Sequence, residues 1–153
     1  MSILAAVDET ERSRRVLEIG YDLATTYDEH LVVLHVIPEE DYDAHLEAIR
    51  EIPGFEDHSI TQQTQSAQNF ASRFARETLD DPDLDRLQPR GRIGDIPSEI
   101  LAEVDTENPR YLVIGGRQRS PARKAIFGDR AQQLLLNADC PVVTTLAEPG
   151  AGE

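Results

Sequence analysis

Residues 31–37 read Leu-Val-Val-Leu-His-Val-Ile. The run is too short for a core helix, rich in β-branched residues, and apolar at consecutive rather than alternate positions. That pattern belongs to a strand buried on both faces of a parallel sheet. Working outward, Ser2–Val7 (SILAAV), Tyr111–Gly115 (YLVIG) and Pro141–Leu146 (PVVTTL) are runs of the same kind. A fifth, Leu87–Ile93 (LQPRGRI), carries Pro89 and two arginines and is predicted at a sheet edge, where proline is tolerated. Between these runs the apolar residues take a helical period. They are Val16, Gly20, Leu23, Ala24 and Tyr27; then Ile60, Ala67, Phe70, Ala71, Phe74 and Ala75; then Ile100, Leu101 and Val104; then Ala131, Leu134, Leu135 and Ala138. Strand and helix alternate from end to end. The expected fold is therefore α/β, a five-stranded parallel sheet with helices on both faces, a Rossmann-like three-layer sandwich. Ligands in such sheets sit beyond the carboxyl ends of the strands, near the point where strand order reverses.

The chain has 153 residues, enough for one domain, expected over 1–146, with 147–153 as a flexible tail. Pro38–Asp57 holds eight acidic residues against Arg50 and reads as a solvated insertion with a short helix around Leu46 and Ile49. No apolar run approaches the roughly 20 residues of a membrane span. The single cysteine, Cys140, allows no internal disulfide, and His30, His35, His45 and His58 do not cluster as metal ligands. Met1–Glu9 runs into a strand without a basic n-region, so a reducing cytoplasm is the expected location.

Acidic residues number 29 and basic ones 15, for a net charge of −14, and Lys124 is the only lysine. Such a surface repels itself at low ionic strength, whereas molar salt shortens the Debye length to about 3 Å, so a salt-rich, halophilic setting is expected. The same charge argues against nucleic acid, whose affinity comes from clustered cations. Cations do gather at one place. Residues 115–130 hold Arg117, Arg119, Arg123, Lys124 and Arg130 against Asp129, at a strand carboxyl end and a helix N-terminus, where backbone N–H groups favour a phosphate. From the residues alone the loop reads sooner as turn glycines with arginines paired to the chain's many carboxylates than as a phosphate site.

Several motifs in order give the loop a context. Val7-Asp8 ends the first strand and leads into a turn with Thr10 and Ser13; Gly94-Asp95-Ile96-Pro97 precedes a helix; Gly115 and Gly128 frame the basic loop; Cys140-Pro141-Val142 opens the last strand. Over nearly its whole length the chain resembles the universal stress protein family, whose domain has an adenine nucleotide alpha hydrolase-like fold. In the nucleotide-binding branch, the resemblance implies, the first-strand aspartate accepts a hydrogen bond from the adenine amino group, the second strand's end contacts the base, and the glycine loop wraps ribose and phosphates. This carries over to Asp8, to Val36 or Ile37, and to Gly115, Arg117, Gly128 and Arg130. The ligand implied is ATP or another adenine nucleotide, with Mg where a triphosphate binds.

Two positions depart from the family's signature loop. Gln118 stands where the family has its second glycine, and Asp129 where it has Ser or Thr. A carboxylate about 4 Å from a phosphate is repelled by about 4 kcal/mol at an effective dielectric of 20, so a triphosphate is expected to bind weakly. Thr10 and Ser13 read as capping or turn residues, His35 as a satisfied core residue, Cys140 as packed, and Asp95 as a helix N-terminal residue. No catalytic residue is assigned, and slow ATP hydrolysis rests on family analogy alone. The expected role is a stress-response binding or regulatory module with a degenerate adenine-nucleotide site. Its alternative is a protein-interaction dimer that binds no ATP, its basic loop meeting an acidic partner. The resemblance also implies homodimerisation through the last strand, here Val142–Thr145, with no nucleic-acid or membrane partner.

Overall fold

The computed structural model describes residues 1–38, 59–117 and 128–147. Five strands, β1 (Ser2–Ala6), β2 (His30–Pro38), β3 (Leu87–Gly94), β4 (Tyr111–Arg117) and β5 (Val142–Ala147), form one all-parallel sheet in the order β3-β2-β1-β4-β5. The helices are α1 (Arg12–Tyr27), α2 (Ser59–Thr78), α3 (Ile96–Glu107) and α4 (Asp129–Asn137). At the centre of the sheet Leu4 pairs with Val32 on one side and Leu112 on the other.

Alternation along the buried strands divides the core in two. Ile3, Ala5 and Val7 with Leu31, Val33 and Val113 meet Val16, Leu17 and Ala24 of α1 and Ala71 and Ala75 of α2. Leu4, Val32, Leu34, Val36, Leu112 and Ile114 meet Ile100 and Val104 of α3 and Ala131 and Leu134 of α4. Having no polar face, these strands read as continuous apolar runs. Among the described residues no helix is long and apolar enough to cross a membrane.

β3 lies at the sheet edge, as Pro89 required. Its two faces are served differently. On one, Gly91 lets α2 press directly onto the strand: a Cβ there would stand 2.4 Å from the Thr64 carbonyl oxygen. On the other, the two arginines find partners on α3, Arg90 with Glu107 at 3.8 Å and Arg92 with Glu103 at 2.7 Å and Glu99 at 3.3 Å. Gly94 then turns the chain at φ 149°, a region that favours glycine. The Asp95 side chain caps α3 by accepting from the Ser98 amide at 3.2 Å, with Pro97 in the first turn.

Three expectations need adjustment. β4 continues two residues past Gly115, to Arg117, because its partner strand β5 runs on to Ala147. That pairing puts Ala147 in the sheet and not in the tail, and 148–153 lie outside the described residues. In α4 the core-facing residues are Ala131 and Leu134, spaced three apart, while Leu135 and Leu136 are exposed. Gly128 caps α4 at φ −64°, so no left-handed backbone demands glycine there. The acidic insertion beyond Pro38 also lies outside the described residues.

Candidate functional site

The chain moves from β1 to β2 to β3, then crosses back through α3 to β4 on the far side of β1. Where the order reverses, the strand ends splay and leave a crevice. It holds a cavity of about 270 Å³, walled by the ends of β1, β2 and β4 and by the first turns of α1, α3 and α4. Leu34, Val36, Ile96, Ile100, Ile114 and Leu134 make its apolar surface. Asp8, Thr10, Arg12, Ser13 and Arg130 supply the polar groups, and Gly115, Gly116 and Gly128 bring backbone close. Neither α1 nor α4 has a side-chain cap on its N-terminus. First-turn N–H groups without such a partner, together with the helix dipoles and two arginines, make this crevice favourable for an anion.

Asp8 is held with more contacts than any other polar residue in the wall. One oxygen, Oδ1, accepts from the Thr10 amide at 2.8 Å, from the Thr10 hydroxyl, and from the Ser13 hydroxyl at 2.8 Å. The Asp8 amide in turn donates to Ser13 Oγ at 2.7 Å. Burial alone would raise the Asp8 pKa, but the hydrogen bonds from Thr10 and Ser13 and the Arg12 charge together outweigh it and hold the carboxyl below its ordinary value. The group is ionised at neutral pH and is an acceptor only.

Of the residues carried over from the family pattern, the cavity brings together Asp8, Val36, Gly115, Gly128 and Arg130. Ile37, one residue past Val36, lies outside the wall, because alternate residues of a strand face opposite ways. Arg117 is the last residue of β4, and Gln118 lies outside the described residues. Asp129 opens α4 with an exposed side chain outside the wall, whereas Gly128, Ala131 and Leu134, three apart, line it.

Thr10 and Ser13 do not cap α1; their hydroxyls serve Asp8. Their spacing of two and five residues after Asp8 resembles an ordinary turn, so nothing in it points to the shared acceptor. Arg12 and the isoleucines of α3 were absent from the expected site. An apolar residue at the first helical position, as Ile96 is, was the available signal. His35 is a core residue: its Nδ1 lies 3.0 Å from the Val7 carbonyl and its ring packs on Phe70 at 4.3 Å. Cys140 is half-buried against the α3/α4 core, and burial pushes its thiol pKa up, outweighing the Leu112 amide, with a still smaller upward push from Asp139, so the thiol stays protonated. Among the described residues no three His, Cys, Asp or Glu side chains converge as metal ligands.

An all-parallel α/β sheet with a crevice at its switch point defines the class of doubly wound, Rossmann-like domains. Within that class a model of the Universal stress protein family matches residues 1–145. The chain belongs to the universal stress protein family. A "Universal stress protein" from Mycolicibacterium smegmatis is 41% identical over 49 residues, 32% of this chain and 38% of that protein, so the match spans well under half of the relative's length. The structure of a universal stress protein from Archaeoglobus fulgidus superposes with a TM-score of 0.60 at 24% identity, covering 94% of this chain and 97% of that one. The universal stress protein from Archaeoglobus fulgidus in complex with dAMP superposes with a TM-score of 0.57 at 21% identity, covering 94% and 96%. At these identities the likeness is one of fold.

Proposed function

We propose that this protein is a stress-response binding module that takes an adenine nucleotide in the β1/β4 crevice. The observation that carries the reading is Asp8: an ionised carboxylate at an apolar cavity that also holds Arg130 and an uncapped helix N-terminus. A carboxylate suits the exocyclic amino group of adenine, the aliphatic wall suits the faces of a base, and the helix end with its arginine suits phosphate. A volume of about 270 Å³ lies near the lower end of the 300–1,000 Å³ usual for ligand pockets, in the range of a base with its ribose, and the loop expected to wrap the phosphates lies outside the described residues. The dAMP complex of the Archaeoglobus fulgidus relative is in keeping with that size.

The role is binding and not turnover. Asp8 is the one carboxylate in the wall among the described residues, and a carboxyl held below its ordinary pKa is a poor general base. We also propose that the module acts in a salt-rich cytoplasm and pairs through β5, whose outer edge has no strand beside it among the described residues.

A thermal melt in 1 M KCl with AMP, ADP or Mg-ATP tests the reading. Ligand at 100 times its Kd adds about 2.7 kcal/mol, a rise of about 5–10 °C for a chain of this size. AMP should raise the midpoint of the wild type and leave Asp8→Ala unmoved. No shift with any adenine nucleotide, or an equal shift in Asp8→Ala, would overturn the assignment.

A further inference from the structure

The Asp8 carboxylate is not simply present at the cavity; it is locked. Thr10 places both its amide and its hydroxyl on Oδ1, and Ser13 adds a third donor to the same oxygen. One carboxylate oxygen offers about two lone-pair directions, so Oδ1 is saturated. Oδ2 has no partner among the described residues. Ser13 is itself fixed, since its only hydroxyl proton goes to Oδ1 while its oxygen receives the Asp8 amide at 2.7 Å. It sits in the first turn of α1 and is 5% exposed, so surrounding atoms hold the hydroxyl in place. Helix capping does not account for the arrangement: Glu11 occupies the cap position of α1 and makes no side-chain cap bond.

We propose that Thr10 and Ser13 are positioning residues that set base selectivity by spending Oδ1 on the turn and presenting Oδ2 alone, in one orientation, to the ligand. This rests on the adenine-nucleotide reading above. AMP and IMP make the argument concrete. Adenine offers an amino donor at position 6 beside an acceptor at N1; hypoxanthine offers a carbonyl acceptor at position 6 beside an N1–H donor. A single fixed acceptor aimed at the amino group meets a second acceptor when the base is hypoxanthine, and the two repel. A carboxylate free to turn about its side-chain torsions re-aims at the neighbouring N1–H and accepts both bases. Discrimination therefore lies in the lock as much as in the charge, and a purely structural role for Thr10 and Ser13 would not produce it.

The test is the ratio of AMP to IMP affinities, by calorimetry in 1 M KCl, for wild type, Ser13→Ala, Thr10→Val and Thr10→Ser. The wild type should prefer AMP by about tenfold, the low end for one hydrogen bond to a charged group, since Asp8 is itself exposed. Ser13→Ala should weaken AMP binding about tenfold while leaving IMP within about twofold, so that the ratio collapses. Thr10→Val should act in the same direction, and Thr10→Ser, which keeps the hydroxyl, should restore the ratio. Equal losses for both nucleotides in Ser13→Ala and Thr10→Val, with the ratio unchanged, would overturn the positioning role and leave the site standing. A wild type that binds neither nucleotide would overturn the nucleotide reading, and with it this inference.

Discussion

Replacing Arg92 with Met tests whether the ion pairs of β3 hold α3, and thus the cavity wall, in place. Glu103 is 5% exposed and has Arg92 Nε at 2.7 Å; Arg92 itself is 27% exposed, and its Nη1 reaches Glu99 at 3.3 Å. Burial would lower the Arg92 pKa, but the hydrogen bonds and charges of Glu103 and Glu99 outweigh it and raise the value, so the guanidinium stays charged. Arg92→Met keeps the aliphatic stem and removes the charge, leaving the Glu103 carboxylate buried without its partner. Breaking a buried pair from one side costs about 3–5 kcal/mol, and the partial exposure of Arg92 argues for the lower end. The cost also has a ceiling. Protonating an ordinary carboxylate at pH 7 costs about 4 kcal/mol, at 1.36 kcal/mol per pH unit, so a stranded group takes up a proton before the penalty grows further. We therefore expect Arg92→Met to lose about 3 kcal/mol at pH 7, a fall of about 6–12 °C in melting midpoint. The sign with pH follows. The stranded carboxylate is penalised while charged, so the deficit should narrow as pH falls from 7 toward 5. The double variant Arg92→Met/Glu103→Leu should recover to within about 1 kcal/mol of wild type, since an apolar pair can replace a buried ionic one. Ile96 and Ile100 ride on α3, so the AMP-induced shift should weaken in the single variant and return in the double. A single variant within about 1 kcal/mol of wild type, or a double no better than the single, would refute the reasoning.

Gly91→Ala forces a methyl to within 2.4 Å of the Thr64 carbonyl oxygen and 2.6 Å of the Gln68 amide nitrogen, both backbone atoms of α2. Denaturant unfolding should show a loss of at least about 1–3 kcal/mol, and an unchanged midpoint would mean that α2 can shift freely. Val143, paired with Val113 in the edge strand β5, provides the test of dimerisation. Val143→Pro should give a monomer in light scattering with its circular dichroism retained, and an unchanged mass would remove β5 as the interface. With a net charge of −14, the melting midpoint should rise by several degrees between about 0.1 and 1 M KCl as the Debye length falls from about 10 to 3 Å; a flat or falling midpoint would count against salt adaptation. Adenosine and inorganic phosphate should each bind at least about tenfold more weakly than AMP, and adenosine matching AMP would remove Arg130 and the α4 terminus from the site.

Much of the fold was legible because burial on both faces erases alternation. Leu31–Ile37 can be nothing but a central strand in a chain of this length, and Pro89 restricts Leu87–Ile93 to an edge. What remained hidden depended on partners far away in sequence. Arg90 and Arg92 look like surface residues until α3 brings Glu99, Glu103 and Glu107 beside them. The site divides the same way. Asp8, Gly115, Gly128 and Arg130 stand out by their place in an ordered set of motifs, whereas Ile100 and Leu134 read only as core stripe and turn out to serve both core and cavity. The phase of α4 was equally invisible. A register in which Gly128, Ala131 and Leu134 face inward leaves Asp129 exposed and outside the wall, so the repulsion expected from its carboxylate weakens with distance and solvent.

That phase bears on how an acidic protein can hold an anionic ligand at all. At a net charge of −14 the long-range field repels nucleotide, so attraction must come from groups close to the ligand and shielded from the rest of the surface. The crevice gathers such groups around one cavity, although Arg130 and Asp8 are themselves exposed. Its wall combines Arg12 and Arg130 with two helix N-termini, while its one carboxylate among the described residues, Asp8, has one oxygen saturated by neighbouring donors. High salt screens the distant repulsion, which acts through solvent, far more than it screens contacts inside a partly enclosed site. If the proposed nucleotide site holds, raising ionic strength should therefore help it where it would weaken an exposed basic patch, and nucleotide affinity measured at about 0.1 and 1 M KCl checks this.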